Sequence, residues 1–278
     1  MKRKFVFFCA AMAAVCVGCS SENEERNVSE PTEVTLMFSP YTMEAMTRAA
    51  TSIASVVTRL DVWVTEGGNT TAVHQSSADA DFGTVSLTLD KTKTYTLVAI
   101  GHKSTGAATL TDGIIAFPDD RVTHSMIYTT TFTPATTTSL NCIMQRIVAA
   151  FRMETTDAVP SACKKLRFTT SGVFDRWNVT TGATHGLDRT TDVSITSTAQ
   201  DGTVAVTIYN IVTDAQTLHT VTVETLDAND DVIQQRVFAD VPMRNGYRTT
   251  YRGTFFTDTP MTMTFAVDDW NDYDVVNF

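Results

Sequence analysis

Apolar and polar residues alternate with a period of two along most of this chain, the pattern of pleated strands with one face turned to a core. In "LDVWVTEGG", Leu60, Val62 and Val64 share one face, Asp61, Trp63 and Thr65 the other, and the run stops at Gly67-Gly68. "GTVSLTLD" repeats the pattern with Val85, Leu87 and Leu89, whereas "YTLVAIGH" is more uniformly apolar and predicts a central strand. Ile147, Ala149, Phe151 and Met153 alternate next, then Val204, Val206 and Ile208. "HTVTVETLDANDDVIQQRVF" predicts a hairpin carrying Val221, Val223, Val232 and Val237, with an acidic turn at Asn229. Asn245-Gly246 marks another tight turn, and "MTMTFAV" is the last clear strand. Helical periodicity is nearly absent; "TTDAVPSACKKL" predicts one short turn starting near Asp157. Short strands broken by turns favour sandwiches over a parallel α/β sheet, and the length suits two domains. The expected class is all-β with two tandem β-sandwich domains, joined in "TFTPATTTSL" and spanning 32–140 and 141–278.

The first residues follow a different pattern. Lys2, Arg3 and Lys4 precede an apolar run from Phe5 to Val17, shorter than the roughly 20 residues that span a bilayer, so residues 1–18 read as a cleaved export signal. Cys19 follows Gly18, and "CVGC" resembles a bacterial lipobox, in which the cysteine is acylated and becomes the N-terminus; Cys16 stands where a leucine is common. An ordinary secretory peptide with cysteine as small apolar filler is the other reading. It leaves "SSENEERNVSEP" unexplained, whereas a polar, acidic tether over 19–31 suits a lipid-anchored domain. The formal net charge of −10, more negative once the basic signal is gone, argues against nucleic acid as a partner. Beyond the signal only Cys142 and Cys163 remain, and either a disulfide or two buried thiols fits them.

Candidate chemistry is sparse. His74, His102, His124, His185 and His219 are scattered, without HExxH or HxH spacing, so no metal and no cofactor is expected. Asp227, Asn229 and Asp231 match the opening of a calcium loop, but Val232 and Phe238 stand where its glycine and glutamate belong. A solvated hairpin turn fits better. The adjacent pairs Asp119-Asp120 and Asp268-Asp269 would point to opposite faces of a strand and make poor acid–base dyads. No catalytic residue is assigned, and the chain is not expected to be an enzyme. Trp63, Trp177 and Trp270 could stack on sugars, although core packing suits three scattered tryptophans better.

The segments "DADFGTVSLTLDKTKTYTLVAIGH", "RIVAAFRMETTDAVPSACKKLRFTTSG" and "VIQQRVFADVPMRNGYRTTYRGTFF" resemble the fimbrillin-type lipoproteins of Bacteroidetes, and more closely their anchor or minor-subunit branch. The resemblance implies transthyretin-like topology in both sandwiches and a surface lipoprotein of the outer membrane that belongs to a fimbrium. Its implied partners are other fimbrial subunits, the membrane through the lipid, and a host or bacterial surface ligand. Such subunits assemble by strand addition, a groove in one accepting a strand from another. "EVTLMFSPY", with Val34, Leu36 and Phe38 alternating, could fill that groove from within, and Arg48-Ala49 is a candidate cleavage site behind it. A solvated arginine in a connection explains Arg48 equally well. The tail "DDWNDYDVVNF" keeps no single parity, making it a weak donor. The expected role is therefore an anchor or accessory subunit supporting adhesion. A polymerising stalk or tip subunit and a surface glycan-binding lipoprotein are the alternatives.

Overall fold

A computed structural model describes residues 30–40, 52–196, 202–257 and 263–269. Among them there is no α-helix, and the strands form two sheets. The first contains β1 (Pro31–Pro40), β2 (Arg59–Glu66), β3 (Asn69–Ser76), β4 (Thr84–Asp90), β5 (Tyr95–His102), β8 (Ser125–Phe132) and β9 (Ser139–Arg146), in the order β3-β2-β5-β8-β9-β1-β4. β8 and β9 share only the pairs Met126–Arg146 and Ile127–Gln145. The sheet therefore divides there into two layers, β3-β2-β5-β8 and β9-β1-β4, closed over Leu36, Leu60, Val62, Leu97, Met126 and Met144.

The second sheet follows the same plan. β10 (Val148–Thr155), β13 (Ala205–Ile211), β16 (Tyr247–Gly253) and β17 (Met263–Asp269) form one layer. β11 (Lys165–Asn178), β12 (Gly182–Ser194), β14 (Thr217–Leu226) and β15 (Val232–Met243) form the other. The layers meet edge to edge at Phe174–Ile211, and Phe151, Phe168, Val221, Phe238 and Phe255 fill the space between them. The all-β class and the two sandwiches agree with the sequence reading, as do the β14–β15 hairpin and the Asn245-Gly246 turn, where Gly246 takes φ +81°.

Three further features shape the fold. Among the described residues β9 pairs only within the first sheet, and the chain passes to the second sheet at Ile147. Inside 32–140, β6 (Thr109–Thr111) and β7 (Ile114–Ala116) form a hairpin arm that joins the second sheet by pairing with β11. A third apolar cluster, with Trp63, Ile100, Ile115, Phe117, Val148 and Ile211, fills the junction beneath it. Finally, a short non-helical turn does form in the stretch after Asp157, where Cys163 N–H donates to Pro160 O at 2.9 Å. The Asp157 carboxylate accepts the amides of Phe255, Phe256 and Thr257 at 2.8, 2.6 and 2.9 Å.

Candidate strand-acceptor groove

β1 is an interior strand despite its place at the start of the fold. It runs antiparallel to β4 from Pro31–Asp90 to Met37–Thr84, and parallel to β9 from Thr35–Ser139 to Pro40–Met144. Alternation sends Val34, Leu36 and Phe38 into the first core at 0, 0 and 6% exposure, while Met37 faces outward at 39%. Fully burying three such side chains contributes roughly 5–9 kcal/mol at about 1.5–3 kcal/mol each. A whole domain is held by only about 5–15 kcal/mol net. An empty β1 site would therefore cost the unit much of its net stability, which a strand from elsewhere could restore.

The groove that holds β1 is specifically shaped. Phe38 N–H donates to Gly83 O at 2.8 Å. Gly83 has φ +91°, and a Cβ there would lie 2.7 Å from Ile53 Cγ2, so the close approach requires glycine. Gln75, 5% exposed, fixes the same loop by accepting Gly83 N–H at 3.0 Å and donating to Thr84 O at 2.8 Å. On the other side, Phe38 is paired with Cys142 of β9. Cys142 is fully buried, and burial pushes its thiol up to about 12. Cys163 lies in the second core and Cys142 in the first, so the two do not bond to each other. If β1 left, the facing edges of β4 and β9 would expose unpaired backbone groups, the geometry that captures an extended peptide.

β17 is the opposite case. Among the described residues it pairs only with β16 and forms the sheet's edge, with Phe265 and Val267 at 59% and 39% exposure and Phe265 stacked on Tyr251 at 5.5 Å. Met263, Phe265 and Val267 keep one parity, a signal carried by the sequence itself.

Cys19, Arg48, Ala49 and Trp270 lie outside the described residues. Trp63 and Trp177 pack in the junction cluster. The calcium-loop lookalike is a self-satisfied turn, with Asp227 Oδ1 accepting the amides of Asn229 and Asp231 at 2.8 and 3.0 Å. Asp119 and Asp120 are not on a strand; they occupy a tight turn at φ +56° and +49° and line a cavity of about 200 Å³ with Arg121 and Arg189. Among the described residues no group of three or more His, Cys, Asp or Glu side chains is placed to hold a metal. Pairing does gather what looks scattered in sequence. His74 and His102 both meet Asp61, and His185 meets Asp175 at 2.7 Å. His124, wedged between Val56 O and the Arg146 Nε–H, is held near 3 by burial and by Arg146, hence neutral.

A family model described as a family of unknown function, DUF6562, matches residues 119–276, more than half of the chain. The chain belongs to that family. No curated protein matches this DUF6562 chain. Among solved structures it resembles a proposed adhesin from Bacteroides thetaiotaomicron, with TM-score 0.52 and 13% identity over 88% of this chain and 98% of the other. A proposed cell adhesion protein from Bacteroides uniformis gives 0.50 and 14% over 86% and 99%. The fimbrial anchor protein Mfa2 from Porphyromonas gingivalis gives 0.47 and 12% over 86% and 98%. At these identities the likeness to the first two is one of fold, and it extends over both sandwiches.

Proposed function

We propose that this chain is a structural subunit of a surface fimbrium, retained at the outer membrane by an acylated Cys19, with β1 as the resident strand of a groove that receives a neighbouring subunit's strand. The observation that carries the reading is the position of β1: first among the described strands, paired on both sides, and supplying Val34, Leu36 and Phe38 to the core. The shared fold with proposed adhesins supports it. From Cys19 to Pro31 is twelve residues, a tether reaching at most about 40 Å when extended, which would keep the first sandwich close to the membrane. No catalytic role is part of this reading.

One observation favours the polymerising alternative. "MTMTFAV" over 261–267 echoes "VTLMFSP" over 34–40, with apolar residues at matching alternate positions and a phenylalanine third. Its described part, 263–267, lies at a sheet edge with Phe265 and Val267 exposed, and a segment of that pattern is suited to replace β1 in another copy once cleavage after Arg48 frees the groove. Intact-mass and N-terminal peptide analysis of protein from native outer membranes separates the readings. Lipid-modified Cys19 on a complete chain is expected of the anchor; an N-terminus at Ala49 in sheared surface material marks a fibre subunit. An unlipidated chain in the culture fluid that is intact from a site near Cys19 would refute both.

A further inference from the structure

The first sandwich contains a buried carboxylate on the side of β2 that faces away from its own core. Asp61 is 0% exposed and accepts three hydrogen bonds: from His74 Nδ1 at 2.7 Å, from His102 Nε2 at 2.8 Å, and from the Ala108 backbone N–H at 2.7 Å. Ser104 N–H donates to His102 Nδ1 at 3.2 Å, which leaves the ring proton on Nε2, facing Asp61. Desolvation opposes the buried charge, but the bonds from His102, Ala108 and His74 outweigh it and hold the carboxyl below its ordinary value. His74 and His102 belong to neighbouring strands of the sandwich. Ala108 does not; it is the residue at which the β6–β7 arm begins.

The arm leaves the first sandwich and adds itself to the second. Ile114, Ile115 and Ala116 pair with Asn178, Trp177 and Arg176 of β11, and Val179 N–H donates to Gly113 O at 2.9 Å. Ala108, Ile115 and Phe117 are buried at 2, 0 and 4% exposure among Trp63 and Val98 of the first unit and Val148 and Ile211 of the second. Tandem domains move relative to each other by default. Here backbone pairing and an apolar cluster act across the joint, and a desolvated carboxylate holds the base of the arm that makes both.

We propose that Asp61 pins the β6–β7 arm, and that the pinned arm is a brace which makes the two sandwiches open as one cooperative unit. The brace covers the outer face of β2 and β5, whose inner face lies over the groove core. In a subunit whose first strand is exchanged it would hold that layer in place while the core is uncovered; this consequence rests on the strand-exchange reading, the brace itself does not. Hydrogen exchange of the full chain, followed by mass spectrometry across a denaturant series, tests it. In the wild type, amides of β5 and β14 are expected to open with one common midpoint. Asp61→Asn, which sets an amide N–H against incoming donors, and Ile115→Ala, which leaves the Asp61 bonds intact, should each open β5 at lower denaturant than β14. Separate midpoints in the wild type, or variants that shift both strands together, would overturn the brace. Should Asp61→Asn fail to fold, Ile115→Ala still decides between these outcomes.

Discussion

Neighbouring residues on β1 should differ sharply in what they contribute. Leu36 is fully buried, and removing its side chain to Cβ leaves a cavity between layers that β4 and β9 hold in register. Leu→Ala at such sites costs about 2–5 kcal/mol, whereas Met37→Ala, on the outward face at 39% exposure, should stay within roughly 0.5 kcal/mol. Cys142 reports the difference, because it is buried beside Phe38 and its thiol is held protonated at neutral pH. Alkylation therefore requires the groove to open. Where opening is fast relative to reaction, the labelling rate follows the open population, so Leu36→Ala should raise it by roughly 30-fold to several thousand-fold at about tenfold per 1.4 kcal/mol. The assay is time-resolved alkylation at pH 8, quantified on the peptide containing Cys142. Equal rates for Leu36→Ala and Met37→Ala, or a change below threefold for Leu36→Ala, would refute the claim that β1 seals the groove through its inward row.

Three further outcomes follow from the geometry. The folded-state pKa of Asp61 lies below its ordinary 3.8, so its contribution is present above about pH 4 and is lost as pH falls through the folded value; Asp61→Asn should flatten the acid limb of a Tm–pH profile, and an unchanged limb would count against it. Gly83→Ala must accept a left-handed φ and a contact with Ile53, and chemical denaturation should show a loss of about 1–3 kcal/mol. Asp157→Ala removes the acceptor of three amides; hydrogen exchange at Phe255–Thr257 should accelerate, with a stability loss of at least about 2 kcal/mol.

Much of the candidate site was legible. Val34, Leu36 and Phe38 announce a one-sided strand, and the structure buries all three. β12 was not legible: "GATHGLDRTTDVS" carries little apolar alternation, because it is held by pairing along β11 more than by burial. Nor was the Asp61 cluster, since His74 and His102 are 13 and 41 residues from their partner and only antiparallel registry brings them together.

The sequence alone determined which residues share a face, where turns interrupt the strands, and therefore that the chain is built from sandwiches. Those are local properties, written in period-two alternation and in the few residues that accept turn geometry. What covers each face was decided by the tertiary structure. Alternation assigns Asp61 and Trp63 to the side of β2 away from Leu60 and Val62, as if to water, yet both are buried because an arm from fifty residues further on crosses to β11 and closes over them. Pairing partners far apart along the chain leave no mark on local periodicity, so the placing of β1 between β4 and β9, and of the arm between the two units, emerges only when all the strands compete for the same edges.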